Sequence, residues 1–399
     1  MQGSIKERIR KRGRDAQGRM RTDLKVYDVR YRYIDPITGR VKQIQKRGFL
    51  RRSDAEAFLL KINAEQADGI YLAPETVLMN DYLADWLENY AKPRVRASTY
   101  EGYERIVKKH LSPALGKFEI KKVTPTLIDR LYANLLRHGR QDGKGGLSAK
   151  TVLYTHRVLS EALEHAVKKN LIARNPAKNL TNVPKPKKFR SSIYTVEELL
   201  HLLEVIRDTP YELAVALAGL CGLRRGECLA LRPEDVDFER HVLHIRRQLI
   251  EVNRELQFTE PKSMESIRTI GAPLEVFEII QRRMQAIQRH KEMLQAEYQE
   301  HELLLCGNNG MPFRPRNFTA NFKAILVKNR LKDIRFHDLR HTCASLMLTS
   351  GVALKTASEI LGHSSIAITA DLYTHVMEDT KLAAARQIGE CVFGTEQDK

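Results

Sequence analysis

The sequence predicts a multidomain chain that is mainly α-helical with small β elements, and three observations predict it. At 399 residues the chain exceeds one ordinary domain and suffices for two or three. Its apolar periodicity changes along the way: alternation in the first fifty residues, helical spacing from about 75 to 182, and a mixture of the two beyond. A basic, proline-stiffened stretch, Pro184-Lys-Pro-Lys-Lys-Phe-Arg190, separates the helical part from the mixed one. The expected organisation is a sheet-plus-helix module over 1–72, a helical bundle over 73–183, a linker over 184–191, and a mixed α+β domain over 192–399 that ends in a helical tail.

Charge narrows the function classes. The formal net charge is +18, and residues 1–72 hold half of it. A surplus of that size points to a polyanion, nucleic acid ahead of a membrane surface. No basic amphipathic helix with a strong apolar face supports the membrane alternative. The longest apolar run, Leu213 to Leu223, is too short to span a bilayer. Met1 is followed by polar and basic residues without an apolar core, so no secretory signal is expected and the cytoplasm is the expected compartment. Five cysteines (Cys221, Cys228, Cys306, Cys343, Cys391) are scattered and lack a C-x-x-C pair, so they read as reduced packing thiols.

The first 22 residues, with Lys6, Arg8, Arg10, Lys11, Arg12, Arg14, Arg19 and Arg21, read as a flexible basic arm. In Lys25–Tyr33, Tyr27, Val29, Tyr31 and Tyr33 form one face of a strand, and Asp28, Arg30 and Arg32 form the other. Asp35-Pro36-Ile37-Thr38-Gly39 is a turn signal, and Val41–Phe49 is a second strand. Ser53-Asp-Ala-Glu56 is a capping box for a helix burying Phe58, Leu59 and Ile62. A two-stranded ribbon with a basic outer face fits a DNA major groove. Arg30 and Arg32 are therefore candidate DNA contacts, against the plain alternative of a solvated charged face.

Helical spacing resumes at Leu78, Tyr82, Leu83 and Trp86. A capping box at Ser98-Thr-Tyr-Glu101 opens a helix towards His110, and Thr124-Pro125 sets an N-cap with proline at the first helical position. Ile128, Leu131, Tyr132 and Leu135 recur behind it. A basic, glycine-rich loop, Arg137–Gly146, leads to a last helix from Ser148 that carries Val152, Leu159, Leu163 and Val167. Lys92, Arg94, Arg96, Lys108, Lys109, Lys121 and Lys122 could track phosphates, with Arg94, Arg96, Lys108 and Lys122 the candidate DNA contacts; singly, each is also an ordinary surface cation.

Thr195-Val-Glu-Glu198 is a capping box opening the last domain. The segment from Tyr211 to Leu220 is apolar nearly all round and so is a buried helix. Strand signals fall at Val242–Arg246, Leu249–Val252, Leu256–Phe258 and Ile267–Ile270. Helices are expected from Leu274 to about Tyr298, over Asn317–Asn329, to about Leu348, and over Leu354–Leu361.

Chemistry-bearing residues sit at the joints of this pattern. Arg224 follows the buried helix and a glycine; it is either paired with Glu227 or Asp235 or aimed into a pocket. In His337-Asp-Leu-Arg340, Asp338 can cap a helix starting there, which places Arg340 in the first turn beside backbone N–H groups that favour an anion. The alternative is a capped helix with a surface arginine. His337 and His341 are four apart, yet no H-E-x-x-H and no third ligand accompany them, so no metal is expected. His363 follows Leu-Gly at a helix end, Lys262 lies in a hairpin turn, and Tyr373 is one of fourteen tyrosines.

Order and spacing are more specific than any part. Gly-Leu-Arg224-Arg-Gly-Glu227, Pro-Lys262-Ser, His337-Asp-Leu-Arg340-His-Thr, Leu-Gly-His363-Ser and Tyr373-Thr-His-Val together resemble the tyrosine recombinase (phage integrase) family over about 190 to 385. Upstream, Thr99-Tyr100, Leu111-Ser-Pro113 and Leu115-Gly116 resemble its core-type DNA-binding domain, and the basic sheet module resembles the arm-binding domain of integrases from temperate phages and conjugative transposons. Ten positions separate His363 from Tyr373, one more than the spacing expected as commonest. The resemblance implies site-specific strand exchange on double-stranded DNA through a 3′-phosphotyrosyl intermediate, with core and arm sites. It implies Tyr373 as nucleophile, Arg224 and Arg340 on the phosphate, His337 on the phenolic proton, His363 as a further phosphate contact, Lys262 as acid, and Glu227 orienting Arg224. It further implies a tetramer on DNA, an accessory excision factor, no cofactor, and a tail over about 381 to 399 packed on a neighbouring protomer. Two rivals remain: a type IB topoisomerase, which relaxes supercoils without paired sites, and a non-catalytic DNA-binding protein, which explains the charge but not the ordered set.

Overall fold

Two units, Met1–Lys188 and Phe189–Lys399, make up the chain, and each is described by itself. The computed structural model describes residues 3–15, 17–34, 41–67, 77–178, 180–186, 192–261, 264–362, 365, 366, 370 and 389. Lys262, His363, Tyr373, Cys391, the Asp35–Gly39 turn and nearly all of the tail lie outside them.

The first unit starts with a three-stranded antiparallel sheet, β1 (Gly3–Arg14), β2 (Met20–Ile34) and β3 (Val41–Phe49), in that spatial order. This corrects the expected flexible arm. Residues 3–14 pair with β2 from Gly3↔Tyr31 to Arg14↔Met20. An edge strand draws its register from backbone hydrogen bonds, so a sequence with few inward apolar residues can still form one. Helix α1 (Arg52–Ala67) packs on one sheet face, where Val29, Tyr31, Ala55, Leu59 and Ile62 form a core with Ile5 and Ile44 against it. The helix begins at Arg52, one residue ahead of the expected Ser53 cap, and Glu56 is bonded to Arg52 instead.

A separate core serves the helices of residues 79–168. Helix α2 (Met79–Asp85) runs on through a π turn, Trp86–Ala91, and α3 (Ala97–Ile106) through another, Val107–Leu111, into α4 (Ser112–Leu115). Each π turn adds a residue to the helical repeat and rotates the face that follows. Met79 is buried at the start of α2, whereas the expected Leu78 is exposed and pairs through its backbone with Glu119. Helix α3 starts at Ala97 with no side-chain cap, ahead of the expected Ser98. Helix α5 (Pro125–His138) has its Thr124 cap, accepting from the Leu127 N–H, and α6 (Ala149–Lys168) has Ser148, accepting from Thr151.

The second unit opens on α7 (Val196–Val205), where Thr195 and Glu198 cap reciprocally. Helix α8 (Pro210–Gly219) is buried almost all round, and α9 (Arg225–Cys228) is one turn. Strands β4 (Val236–Asp237), β5 (Val242–Ile245) and β8 (Arg268–Gly271) form one antiparallel sheet, and β6 (Gln248–Val252) with β7 (Glu255–Thr259) form a hairpin. Helix α10 (Leu274–Leu294) stops short of Tyr298 because Gln295 takes a positive φ of 44°. Leu303–Leu305 is buried without forming a strand. Helices α11 (Pro315–Lys328), α12 (Phe336–Thr349) and α13 (Leu354–Leu361) complete the unit. Its core gathers α8 with Leu243, Ile270, Phe318, Phe322, Phe336 and Leu339. Cys221, Cys228, Cys306 and Cys343 are buried free thiols, as expected of packing residues. No helix among the described residues is long and apolar enough to cross a membrane.

Candidate active site

The site is assembled where α8 ends. Gly222 turns the chain with a φ of 70°, and a Cβ at this position would come within 2.6 Å of Leu361. The Leu223 N–H bonds back to Leu217 at 3.1 Å, and Arg224 follows as the N-cap of α9. Glu227, three residues on, accepts the Arg224 backbone N–H at 2.9 Å and its Nη1 at 2.7 Å. Arg268, at the start of β8, donates Nη2 at 3.0 Å to Oε2, the oxygen that also takes the Arg224 N–H. Glu227 is 2% exposed. Burial alone would push its pKa up, but the cations Arg268 and Arg224 outweigh that and leave it lowered. Of the two carboxylates open to Arg224 in the sequence, the fold selects Glu227; Asp235 is bonded to Arg247 at 2.9 Å.

Helix α12 brings Arg340. The helix begins at Phe336 with Arg335 as its N-cap, so Asp338 stands at the third helical position rather than at the cap. It reaches back to the Arg335 N–H at 2.9 Å and grips that guanidinium at 3.0 and 2.6 Å. Arg340 consequently lies in the second turn, not the first, and its side chain points inward: it is 2% exposed. It donates Nη1 to the Gly222 carbonyl and Nη2 to the Leu361 carbonyl, both at 2.5 Å. Burial, and next the nearby Arg224, push its pKa down to about 9. A guanidinium keeps its proton at neutral pH even so. The nearby Glu227 carboxylate opposes the shift without cancelling it.

Arg224 donates its Nη2 to the Gly362 carbonyl at 2.6 Å and its Nη1 to Ser266 Oγ at 3.4 Å. Arg224 and Arg340 thus meet on consecutive carbonyls, 362 and 361, at the C-terminus of α13. Gly362 ends that helix in the left-handed conformation, φ 62°, where glycine carries no Cβ penalty. His337, one turn before His341 on α12, has its ring 4.9 Å from that neighbour. The ring reaches solvent, yet the protein packed around it, followed by His341 and Arg340, pushes its pKa down to about 4 against the opposing pull of Asp338. At pH 7 it is neutral, with one unprotonated ring nitrogen, and a weaker base than a free imidazole.

Of the six residues expected to carry the chemistry, the fold brings Arg224 and Arg340 together, with His337 two residues after the Arg335 cap of α12. Glu227 is bonded to Arg224 Nη1 at 2.7 Å. Lys262, His363 and Tyr373 lie outside the described residues. Arg268 escaped the sequence reading, because nothing in a strand-edge arginine signals an inward-pointing side chain.

The candidate DNA contacts have mixed surroundings. Arg30 and Arg32 are exposed on β2, on the face opposite α1. Asp28, expected to join them outside, is 3% exposed instead, held by Arg8 at 3.2 Å, Gln45 at 3.2 Å and the Gly48 N–H at 3.0 Å. Arg94 lies over the Tyr90 ring at 4.0 Å, and Arg96 is exposed at the N-cap of α3. Lys108 is paired with Glu104 at 2.8 Å and Lys122 with Glu119 at 2.7 Å. Such exposed pairs contribute little and open readily. A cleft of about 580 Å³ is lined by Lys109 and by Arg140 of the basic loop, and adds Arg105 and Lys150, which the sequence reading did not single out.

Comparison with known proteins agrees with these features. The model of the phage integrase family matches residues 193–379, that of the phage integrase N-terminal SAM-like domain matches 78–136, and that of the arm DNA-binding domain matches 19–66. The chain is 26% identical to a tyrosine recombinase XerC-like protein of Caldanaerobacter subterraneus, over 81% of this chain and 85% of that one. It is 26% identical to the ICEBs1 integrase of Bacillus subtilis, over 90% and 95%. Among solved structures, the Tn1549 transposon integrase in complex with a circular intermediate DNA superposes with a TM-score of 0.65 at 22% identity, over 78% of this chain and 99% of that one. A lambda integrase dimer bound to a COC′ core site gives 0.54 at 19% identity, over 91% and 94%.

Proposed function

The chain belongs to the phage integrase family of tyrosine recombinases, and from that premise we propose that it cuts and rejoins double-stranded DNA at specific sites to integrate and excise a mobile element. The observation that carries this reading is the pair Arg224 and Arg340, converging on neighbouring carbonyls with an excess of positive charge over Glu227. A phosphodiester supplies the missing anion.

In the proposed step, the Tyr373 phenolic oxygen bonds to the scissile phosphorus as the bond from phosphorus to the 5′ oxygen breaks. A phenol of pKa about 10 is a weak nucleophile at pH 7 and needs help. His337, neutral in this setting, takes the phenolic proton. Arg224 and Arg340 hold the two non-bridging oxygens as charge develops on them, and His363 adds a hydrogen bond. Lys262 protonates the departing 5′ oxygen. The phosphotyrosyl ester retains the bond energy, so a second 5′ hydroxyl can reverse the chemistry on a new partner without ATP.

Three functional parts fit the family matches: arm-type DNA binding over 1–72, core-type binding over 73–183, and catalysis over 192–399 after the linker 184–191. Arg30 and Arg32 serve the arm site; Arg94, Arg96, Lys108 and Lys122 serve the core site. Action in the bacterial cytoplasm, assembly to a tetramer on DNA, a tail packed in trans and an accessory excision factor follow from the same reading. One of the solved relatives is a lambda integrase tetramer bound to a Holliday junction.

The test is a nicked, labelled DNA spanning an end of the host element. A recombinase leaves a covalent protein–DNA adduct and joins paired sites; a topoisomerase relaxes supercoiled DNA without them; a plain DNA-binding protein leaves no adduct. Footprinting on the element ends tests the arm. Two separated footprints are expected, with one lost when 1–72 is deleted, and a pattern indifferent to that deletion removes the arm assignment.

A further inference from the structure

Three consecutive carbonyls at the end of α13 are each taken by a different arginine. Ile360 accepts from Arg268 Nε at 2.6 Å, Leu361 from Arg340 Nη2 at 2.5 Å, and Gly362 from Arg224 Nη2 at 2.6 Å. A helix leaves its last carbonyls without internal partners, and they carry the negative end of its dipole. The end of α13 therefore gathers three cations in one place. Two of them are the arginines assigned above to the phosphate.

The third is placed differently. The Arg268 side chain is 7% exposed, and all three of its nitrogens are engaged by protein: Nε by Ile360, Nη1 by the Ser266 carbonyl at 3.0 Å, and Nη2 by Glu227 Oε2 at 3.0 Å. Those acceptors lie on three separate segments: the end of α13, the turn between Lys262 and β8, and α9. Each segment borders a residue assigned to the chemistry, namely His363, Lys262 and Arg224. A Cβ at Gly362 would lie 3.3 Å from the Arg268 side chain, so the guanidinium is packed against the turn that leads to His363.

We propose that Arg268 is a positioning residue, which clamps Glu227 from behind so that Arg224 is aimed at the scissile phosphate; the role rests on the recombinase reading. Arg268 Nη2 shares Oε2 with the Arg224 backbone N–H while Oε1 takes Arg224 Nη1, so the carboxylate cannot rotate without breaking all three bonds. Without Arg268, Glu227 keeps only the two bonds from Arg224 itself and loses the one that ties it to β8 and the end of α13. Lysine at this position keeps the charge but offers one nitrogen to three acceptors.

The experiment uses the full chain and a nicked, labelled site in two forms, one with an ordinary scissile phosphate and one with a single neutral methylphosphonate there. On phosphate, Arg268→Gln is expected to bind DNA as the parent does but to cleave about 10²-fold more slowly, the scale of a small misplacement at a reacting centre. On the methylphosphonate the gap between variant and parent narrows, as it does for Arg224→Gln, because less charge develops for a misaimed guanidinium to miss. Equal fold losses on both substrates, or parental cleavage of the phosphate, overturn the proposal. If circular dichroism finds Arg268→Gln unfolded, Arg268→Lys takes its place with the same expected substrate dependence and the same overturning results. Absence of an adduct from the parent itself would instead remove the recombinase reading, so the two failures are distinguishable.

Discussion

Replacing Tyr373 with phenylalanine is expected to abolish the covalent adduct on a nicked, labelled site while leaving the affinity for that site unchanged. The size of the effect follows from the role. A nucleophile acts as a unit with the groups that activate it, and its loss lowers turnover by at least about 10⁴-fold, down to the level other stabilising groups can sustain. Phenylalanine keeps the ring and removes one oxygen, so a change in packing cannot account for the result. No other tyrosine follows His363 in the sequence to take over the role. A gel shift at matched protein concentration separates binding from chemistry. An adduct that survives Tyr373→Phe moves the nucleophile elsewhere. An adduct that disappears together with binding points to a damaged DNA surface rather than a lost oxygen.

The elements that could be read from the sequence are those whose signals are local. Helix α8 was legible because its apolar residues run all round and stop at a glycine, and Gly222 does carry the positive φ that lets Leu361 approach. Thr124, Ser148 and Thr195 announced their helices because a cap and its partner lie within three residues. The pairing of Arg224 with Glu227 was among the options for the same reason. What could not be read depends on distant backbone. Nothing near Arg340 in the sequence says that the Gly222 carbonyl, 118 residues away, will draw its guanidinium inward. Arg268 is bonded to a carbonyl 92 residues on. Strand β1 reads as a loose arm because seven of its twelve residues are charged, and a backbone ladder leaves no mark in side-chain pattern. Alternation assigns Asp28 to a solvated face, and only the fold reveals that Arg8, Gln45 and Gly48 enclose it.

Arg340→Lys is the second large effect expected, and it should appear in two measurements at once. Arg340 has a structural duty and, on the proposed function, a chemical one, and lysine is expected to meet neither. Its guanidinium joins the Gly222 and Leu361 carbonyls, one before α9 and one at the end of α13. Lysine is shorter and replaces two donor nitrogens by one, so at least one of the two charge-assisted bonds is expected to be weakened or lost. Hydrogen bonds to charged groups contribute about 1.5–3 kcal/mol each, and the urea midpoint of the variant should fall accordingly. Cleavage should fall further, by about 10²–10³-fold, the range for removing one preorganised donor from developing charge. Arg224→Lys provides the contrast. Arg224 is about a third exposed, and Ser266, Glu227 and Gly362 share its contacts, so a comparable loss of cleavage with a smaller loss of stability is expected there. Cleavage by Arg340→Lys within about tenfold of the parent would mean that its charge alone suffices and that the fork geometry is dispensable. An unchanged urea midpoint would mean that the two buried hydrogen bonds only offset the cost of burying the guanidinium. In that event the arginine is retained for the phosphate, and the end of α13 is organised by the arginines rather than the reverse.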